Sequence, residues 1–263
     1  MMRKISLTKF YCLLSLLAPL SMDAQTNITV LKSGPKQTAL LELYTSEGCS
    51  SCPPAERWLS GLKNSSGLWK DFVPVAFHVD YWDRLGWRDP WSDREFSDRQ
   101  LSYAESWRSE NVYTPAFVLN GKEWRNWGEG QPRSSAMNGG LLTASSSEPD
   151  KWKVTFEPAS TNSIGYQVHA ALLASGVATE VKAGENRGRR LNHDFAVARF
   201  ATVPMRRVDG VWNGQFVLTR PSNFPTNNAA IAIWITEREN LQAVQAVGGW
   251  IGGQAEANFS GRK

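Results

Sequence analysis

The chain has 263 residues, 41% of them hydrophobic and 21% charged, and its 29 Lys and Arg against 25 Asp and Glu give a formal charge of +4. A balance so near neutral, with no long Lys/Arg block and no nucleic-acid motif, gives no basis for a nucleic-acid partner. Three cysteines in a chain of this length exclude a disulfide framework.

Arg3, Lys4 and Lys9 precede the apolar run Phe10 to Leu20, which ends near Ala24. Residues 1–24 therefore read as a secretory signal peptide, cleaved after Ala24, and the expected location is the periplasm or the external medium. The run is shorter than the roughly 20 residues a membrane-spanning helix needs. No later segment has such a run without charges, so no membrane insertion is expected after signal removal. Cleavage removes Cys12 and leaves a formal charge of +2. The oligomeric state is not fixed by anything in the sequence.

Ala39 to Tyr44 predicts a mostly buried strand, and Thr45-Ser46-Glu47-Gly48 the turn after it. Ala55, Trp58, Leu59 and Leu62 have helical spacing, with Asn64 and Gly67 at the exit. Val73 to Val79 predicts a second, interior strand. Ser92 and Glu95 form a capping-box pattern for a helix carrying Phe96, Gln100, Tyr103, Ala104 and Trp107 on one stripe. Ala116 to Leu119 reads as a strand, turned by Asn120-Gly121 into Glu123-Trp124. A further helix is expected over Arg133 to Leu142.

Thr143 to Asp150 shifts to Ser, Pro and acid, the composition of an interdomain linker. Beyond it, Lys153 to Phe156, Ile164 to Leu172, Val177 to Lys182, Asp194 to Arg199, Gly214 to Leu218, Ala229 to Thr236 and Leu241 to Val247 are short β-rich runs. Seven strands at that spacing predict an antiparallel sandwich. The expected organisation is an α/β domain over 38–142 and a β-rich, sandwich-like domain over 151–253.

After removal of the leader, two cysteines are left, Cys49 and Cys52, separated by Ser50-Ser51. A disulfide closing so small a ring is a weak staple, so its value is chemical. At a helix start, unpaired backbone N–H groups and the helix dipole stabilise a thiolate, which makes Cys49 the expected attacker. Cys52, a turn further on, is the expected resolving thiol. Pro53 fits the first helical turn without loss of a hydrogen bond, whereas Pro54 is expected to cost one. Glu42, a carboxylate in an apolar strand, needs a partner, and beneath the thiols it can take the Cys52 proton.

Strand, turn, Cys-x-x-Cys and helix, with Thr114-Pro115 directly before a later strand, resembles thioredoxin-like proteins. In those, such a proline has a cis peptide bond beside the reactive sulfur, and the residue before it pairs with the substrate backbone. The stretches Glu42 to Glu56, Phe77 to Asp83, Leu85 to Pro90, Val112 to Pro115, Asn120-Gly121 and Gly184 to Arg189 are also similar to one family. It is the group of secreted bacterial proteins known as domain of unknown function 1223. The resemblance implies a thioredoxin-like N-terminal domain followed by a β-rich C-terminal domain.

The function expected from this reading is thiol–disulfide exchange with protein thiols or disulfides as partners. It assigns Cys49, Cys52, Thr114, Pro115 and Glu42 to the site, with no cofactor and no resident metal. A non-catalytic partner-binding or copper-handling protein is the alternative, in which His78 joins the two thiols as a ligand. Tyr81, Trp82, Trp87 and Trp91 read as packing under a loop or as an aromatic wall beside the site. Arg187, Arg189 and Arg190 read as a solvated basic loop.

Overall fold

The computed structural model describes residues 28–251, except 149, 161–164 and 226. The leader read over residues 1–24 lies outside the described residues, as does Ile164, the expected start of one strand. In chain order the first elements are β1 (Thr29–Lys32), β2 (Ala39–Thr45), α1 (Cys52–Gly61), β3 (Phe72–His78), α2 (Arg94–Ser106), β4 (Ala116–Leu119) and β5 (Lys122–Glu123). They are followed by β6 (Leu141–Glu148), β7 (Lys151–Glu157), β8 (Tyr166–Ala174), β9 (Val177–Glu180), β10 (Arg190–His193) and β11 (Ala196–Pro204). Last come β12 (Arg206–Val208), β13 (Val211–Val217), β14 (Ala229–Glu237) and β15 (Ala243–Trp250).

Of the described residues 44% are strand and 15% helical, so the fold is mostly β. This corrects the predicted α/β, thioredoxin-like N-terminal domain followed by a sandwich. One eight-stranded sheet runs in the order β15-β14-β8-β11-β3-β2-β4-β5, so strands from both sides of the expected linker share it. β11 joins β3 in parallel, with Ala196 opposite Ala76 and the Ala76 N–H donating to the Phe195 carbonyl at 2.8 Å. The physical reason lies in burial. β3 is buried at all seven positions and cannot leave an open edge. β8 and β14 are nearly continuous apolar runs, which need cover on both faces rather than the alternation of a sandwich strand.

A five-stranded sheet, β1-β6-β7-β13-β12, supplies part of that cover. Leu142, Val154, Phe156 and Phe216 from it pack with Leu172, Ile231, Ile233 and Ile235 of the large sheet. On the opposite face, Leu173, Ala232 and Trp234 join the core built by β2, β3, α1 and α2. The Ser-rich stretch read as a linker is therefore strand β6, paired with both β1 and β7. Nor does Arg133 to Leu142 form a helix. Gly139 and Gly140 sit where a Cβ would strike Val244 and Glu157 backbone oxygens, and Gly140 has φ +81°.

Where local signals dominate, sequence and structure agree. Asn120-Gly121 turns β4 into β5, with φ of +49° and +81°. α2 is capped by Asp93, one residue beyond the expected Ser92, and its carboxylate accepts from the Glu95 N–H at 2.9 Å. α1 begins at Cys52, so Pro53 and Pro54 both fall among the first residues whose N–H groups have no helical partner. The expected cost at Pro54 is not incurred.

The seam between the halves is tightly packed around Trp69, whose ring meets Phe195 and Trp250 edge-on. A Cβ on Gly248 would lie 2.6 Å from the Trp69 Cζ3. Gly248→Ala is therefore expected to destabilise the fold by about 1–3 kcal/mol. A urea-unfolding midpoint equal to that of the parent would contradict this packing.

Candidate active site

The β2 strand delivers the chain to a tight corner after Thr45. The Cys49 N–H closes it by donating to the Ser46 carbonyl at 3.1 Å. Gly48 is required there because a Cβ would lie 2.9 Å from that of Trp82. Ser51 then holds the N-cap position of α1 with its hydroxyl turned to Cys49 and Thr114 rather than to the helix, and Cys52 is the first helical residue. Both thiols are free, Cys49 at 1% and Cys52 at 0% exposure, while Ser50 and Ser51 are exposed. At this burial, attack on a protein disulfide requires the Ser50-Ser51 corner to move.

The two sulfurs differ chemically. A hydrogen bond from the Cys52 thiol lowers the Cys49 pKa to about 6; burial opposes this, and bonds from Ser51 and Thr114 assist it. Burial, and the neighbouring Cys49 sulfur, hold the Cys52 pKa far above the ordinary thiol range. The Cys49 Sγ lies 3.3 Å from the Ser51 Oγ and 3.7 Å from the Thr114 carbonyl oxygen. Thr114-Pro115 is cis, and Trp82 Nε1 donates to the Thr114 hydroxyl at 2.8 Å. The structure thus brings Cys49, Cys52, Thr114 and Pro115 to one place.

Glu42 is elsewhere. With Tyr44 it faces α2, whereas Thr45, on the other face of β2, meets α1 and the thiols. Arg99 clamps the Glu42 carboxylate from Nε at 2.8 Å and from Nη2 at 3.1 Å, and the Tyr103 hydroxyl donates to Oε1 at 2.5 Å. Arg99 is itself enclosed by the rings of Phe77, Tyr103, Phe200 and Trp234. The assignment of Glu42 as acceptor of the Cys52 proton does not fit this geometry.

Beneath the thiols lies a polar cluster that the sequence reading did not anticipate. The Thr45 hydroxyl, which also bonds Cys52, donates to Glu56 Oε1 at 2.6 Å. Glu56 Oε2 meets His193 Nδ1 at 2.6 Å, and His193 Nε2 meets Glu47 Oε1 at 3.0 Å. Trp87 Nε1 donates to Glu47 Oε2 at 2.7 Å. His78 packs edge-on against His193, with ring centroids 5.0 Å apart, and its Nδ1 bonds Asp89 at 2.7 Å. Burial would push the His193 pKa down, but hydrogen bonds and charges from Glu47 and Glu56 outweigh it and raise the pKa to about 10.

The second half of the chain also straps the thiol corner from outside. The Asn186 side-chain amide donates to the carbonyls of Glu47 and Cys49 at 2.9 and 2.8 Å. Glu185 accepts from the Ser50 N–H at 3.0 Å. Arg187, Arg189 and Arg190 are exposed beside this strap, and Arg190 pairs with Glu180. Of the four candidate aromatics, Trp82 and Trp87 bond the site directly, while Tyr81 bonds Gln100 on α2. Trp91 packs instead on the core between the two sheets.

Glu47, Glu56, Asp89, Asn186 and His193 went unread because three separate stretches supply them. One local signal existed. Glu56 lies four residues after Cys52 and three before Leu59, on the buried stripe of α1.

Solved structures share this fold at low identity. Protein AGR_C_4864 from Agrobacterium tumefaciens is 20% identical with a TM-score of 0.58, the match covering 84% of this chain and 97% of that one. HBP35 of Porphyromonas gingivalis is 13% identical with a TM-score of 0.55, covering 88% of this chain and 80% of that one. Among curated proteins no sequence matches. The family model described as "Protein of unknown function (DUF1223)" matches residues 40–236, which include both thiols and His193. The chain belongs to that family.

Proposed function

We propose that the protein is exported and exchanges disulfides with protein thiols through Cys49 and Cys52. The observation that carries this reading is the placement of two free thiols at the start of α1, with the Cys49 Sγ 3.3 Å from the Ser51 hydroxyl, an asymmetric setting that favours the thiolate at Cys49 and the protonated thiol at Cys52. In the reducing direction the Cys49 thiolate attacks one sulfur of a substrate disulfide, and the other leaves as a thiolate. Cys52 then gives up its proton and attacks the Cys49 sulfur, which releases the second substrate sulfur as a thiolate. The substrate gains two electrons and the protein becomes the Cys49–Cys52 disulfide. Oxidation of a dithiol is the reverse sequence. The Ser51 hydroxyl donates to the attacking sulfur, and Thr114 and Pro115 shape the wall next to it.

The pH dependence of alkylation tests the asymmetry. Only the thiolate reacts, so the iodoacetamide rate at Cys49 is expected to rise with a midpoint near pH 6 and to level off by neutral pH. A free thiol has its midpoint near about 8.5. Burial of Cys49 lowers the absolute rate without moving this midpoint. A titration like that of an ordinary cysteine would contradict the proposed chemistry.

A further inference from the structure

His78 Nε2 is a buried nitrogen with no hydrogen-bond partner among the described residues, in a residue 1% exposed. Leaving such a group unpaired is costly, because it has lost its water without gaining a partner. The same ring is fixed from its other nitrogen by Asp89, whose carboxylate is further held by the backbone N–H groups of Glu47 and Trp91 at 2.8 and 2.9 Å. The free nitrogen is therefore built to point at something.

Its surroundings supply two further donors. One nitrogen or oxygen from each of Glu56, His78 and His193 lies within 4.8 Å of the others, and all three residues are buried. His193 repeats the pattern of His78: its Nε2 rests on the Glu47 carboxylate, which leaves Nδ1 to face Glu56 Oε2. Each imidazole thus has one nitrogen on a supporting carboxylate, Asp89 for His78 and Glu47 for His193, and each ring brings a nitrogen within 4.8 Å of a Glu56 oxygen. A carboxylate on the outer nitrogen is the usual support of a metal-binding histidine, because it fixes the ring and makes the inner nitrogen a better donor.

We propose that Glu56, His78 and His193 bind one divalent transition-metal ion of the zinc class, directly beneath the thiol pair. Two imidazoles and one carboxylate are a donor set that zinc accepts, at about 2.0–2.2 Å per bond, with a fourth position to fill. A zinc tetrahedron sets its ligand atoms about 3.4 Å apart, so the 2.6 Å Glu56–His193 contact opens and the wider separations, up to 4.8 Å, close, each by under about 1.5 Å. The ion takes the place of the proton that His193 Nδ1 shares with Glu56, which is released to solvent on binding, and gives His78 Nε2 its partner. Glu47 and Asp89 keep their present bonds, now holding the ligand rings from behind. Three carboxylates and two imidazoles meet in this cluster; among the described residues no lysine or arginine contacts its carboxylates, and the positive charge between Glu47 and Glu56 is that of His193, which the ion replaces.

This site does not use the thiols, so it is separable from disulfide exchange. Full chain with Cys12, Cys49 and Cys52 all replaced by serine, stripped with chelator, is titrated with zinc alone by calorimetry. One ion per chain, bound tighter than about 1 µM, is expected. His78→Gln is expected to weaken binding by more than about 100-fold, and Asp89→Asn by about 10–100-fold. No binding by the serine protein overturns the proposal, as does undiminished binding by a folded His78→Gln protein. Should that variant fail to fold, zinc-edge X-ray absorption of the protein with its cysteines intact decides. Nitrogen and oxygen neighbours only are expected, and a sulfur neighbour overturns the site.

Discussion

Cys49→Ala is expected to reduce reduction of insulin disulfides, and oxidation of a reduced substrate, to the uncatalysed background. Cys52→Ala is expected to accumulate a mixed disulfide with the substrate, visible as a mass increase under non-reducing conditions. The difference follows from the order of bond making: without Cys49 no sulfur attacks, and without Cys52 nothing within the chain resolves the first product. Cys52 has a second effect. Its thiol is the main cause of the lowered Cys49 pKa, so Cys52→Ala is also expected to move the alkylation midpoint of Cys49 upward. Wild-type rates from both variants, in both directions of exchange, would end the catalytic reading. Loss of activity without a trapped intermediate in Cys52→Ala would leave Cys49 needed but not as the attacking group.

The largest expected loss of stability belongs to Glu42→Gln. Arg99 is 7% exposed and Glu42 is fully buried, so the variant strands a guanidinium inside the aromatic cage with a neutral partner. Breaking one side of such a pair costs about 3–5 kcal/mol, a large part of the ~5–15 kcal/mol that holds a typical domain together. Urea unfolding with an unchanged slope and a lowered midpoint is the expected readout. Replacing both partners, Glu42→Leu with Arg99→Met, is expected to recover part of the loss: no charge is left unpaired, but the buried Tyr44 hydroxyl loses its acceptor. A stable Glu42→Gln protein with slow resolution of mixed disulfides would instead restore Glu42 to the chemistry.

Glu42 also marks the limit of what a linear reading can assign. That a carboxylate inside Ala39–Tyr44 needs a partner followed from the pattern alone. Which face it served did not, because the cation that claims it is 57 residues away on α2. The thiol corner was legible because its signals are local: an apolar strand, a glycine turn, two cysteines and a helical stripe. The joining of β11 to β3 was not, since one register pair between distant strands leaves no trace in either segment. The continuous apolar runs of β8 and β14 did carry a usable sign that both faces are covered. His193 carried little, sitting in a four-residue strand where Leu191 alone shares its buried face.

The strap formed by Asn186 over Cys49 and Glu47 has a consequence for the order in which the protein is made. The two ends of the Asn186–Cys49 contact are 137 residues apart, and those of the His193–Glu47 contact 146. Contacts of such long sequence separation close slowly, and synthesis brings the earlier partner out first. A growing chain therefore carries Cys49 and Cys52 uncovered, without their anchoring carbonyl bonds and without the histidine beneath them, until the second half arrives. The thiol corner is among the first parts synthesised and among the last to be finished.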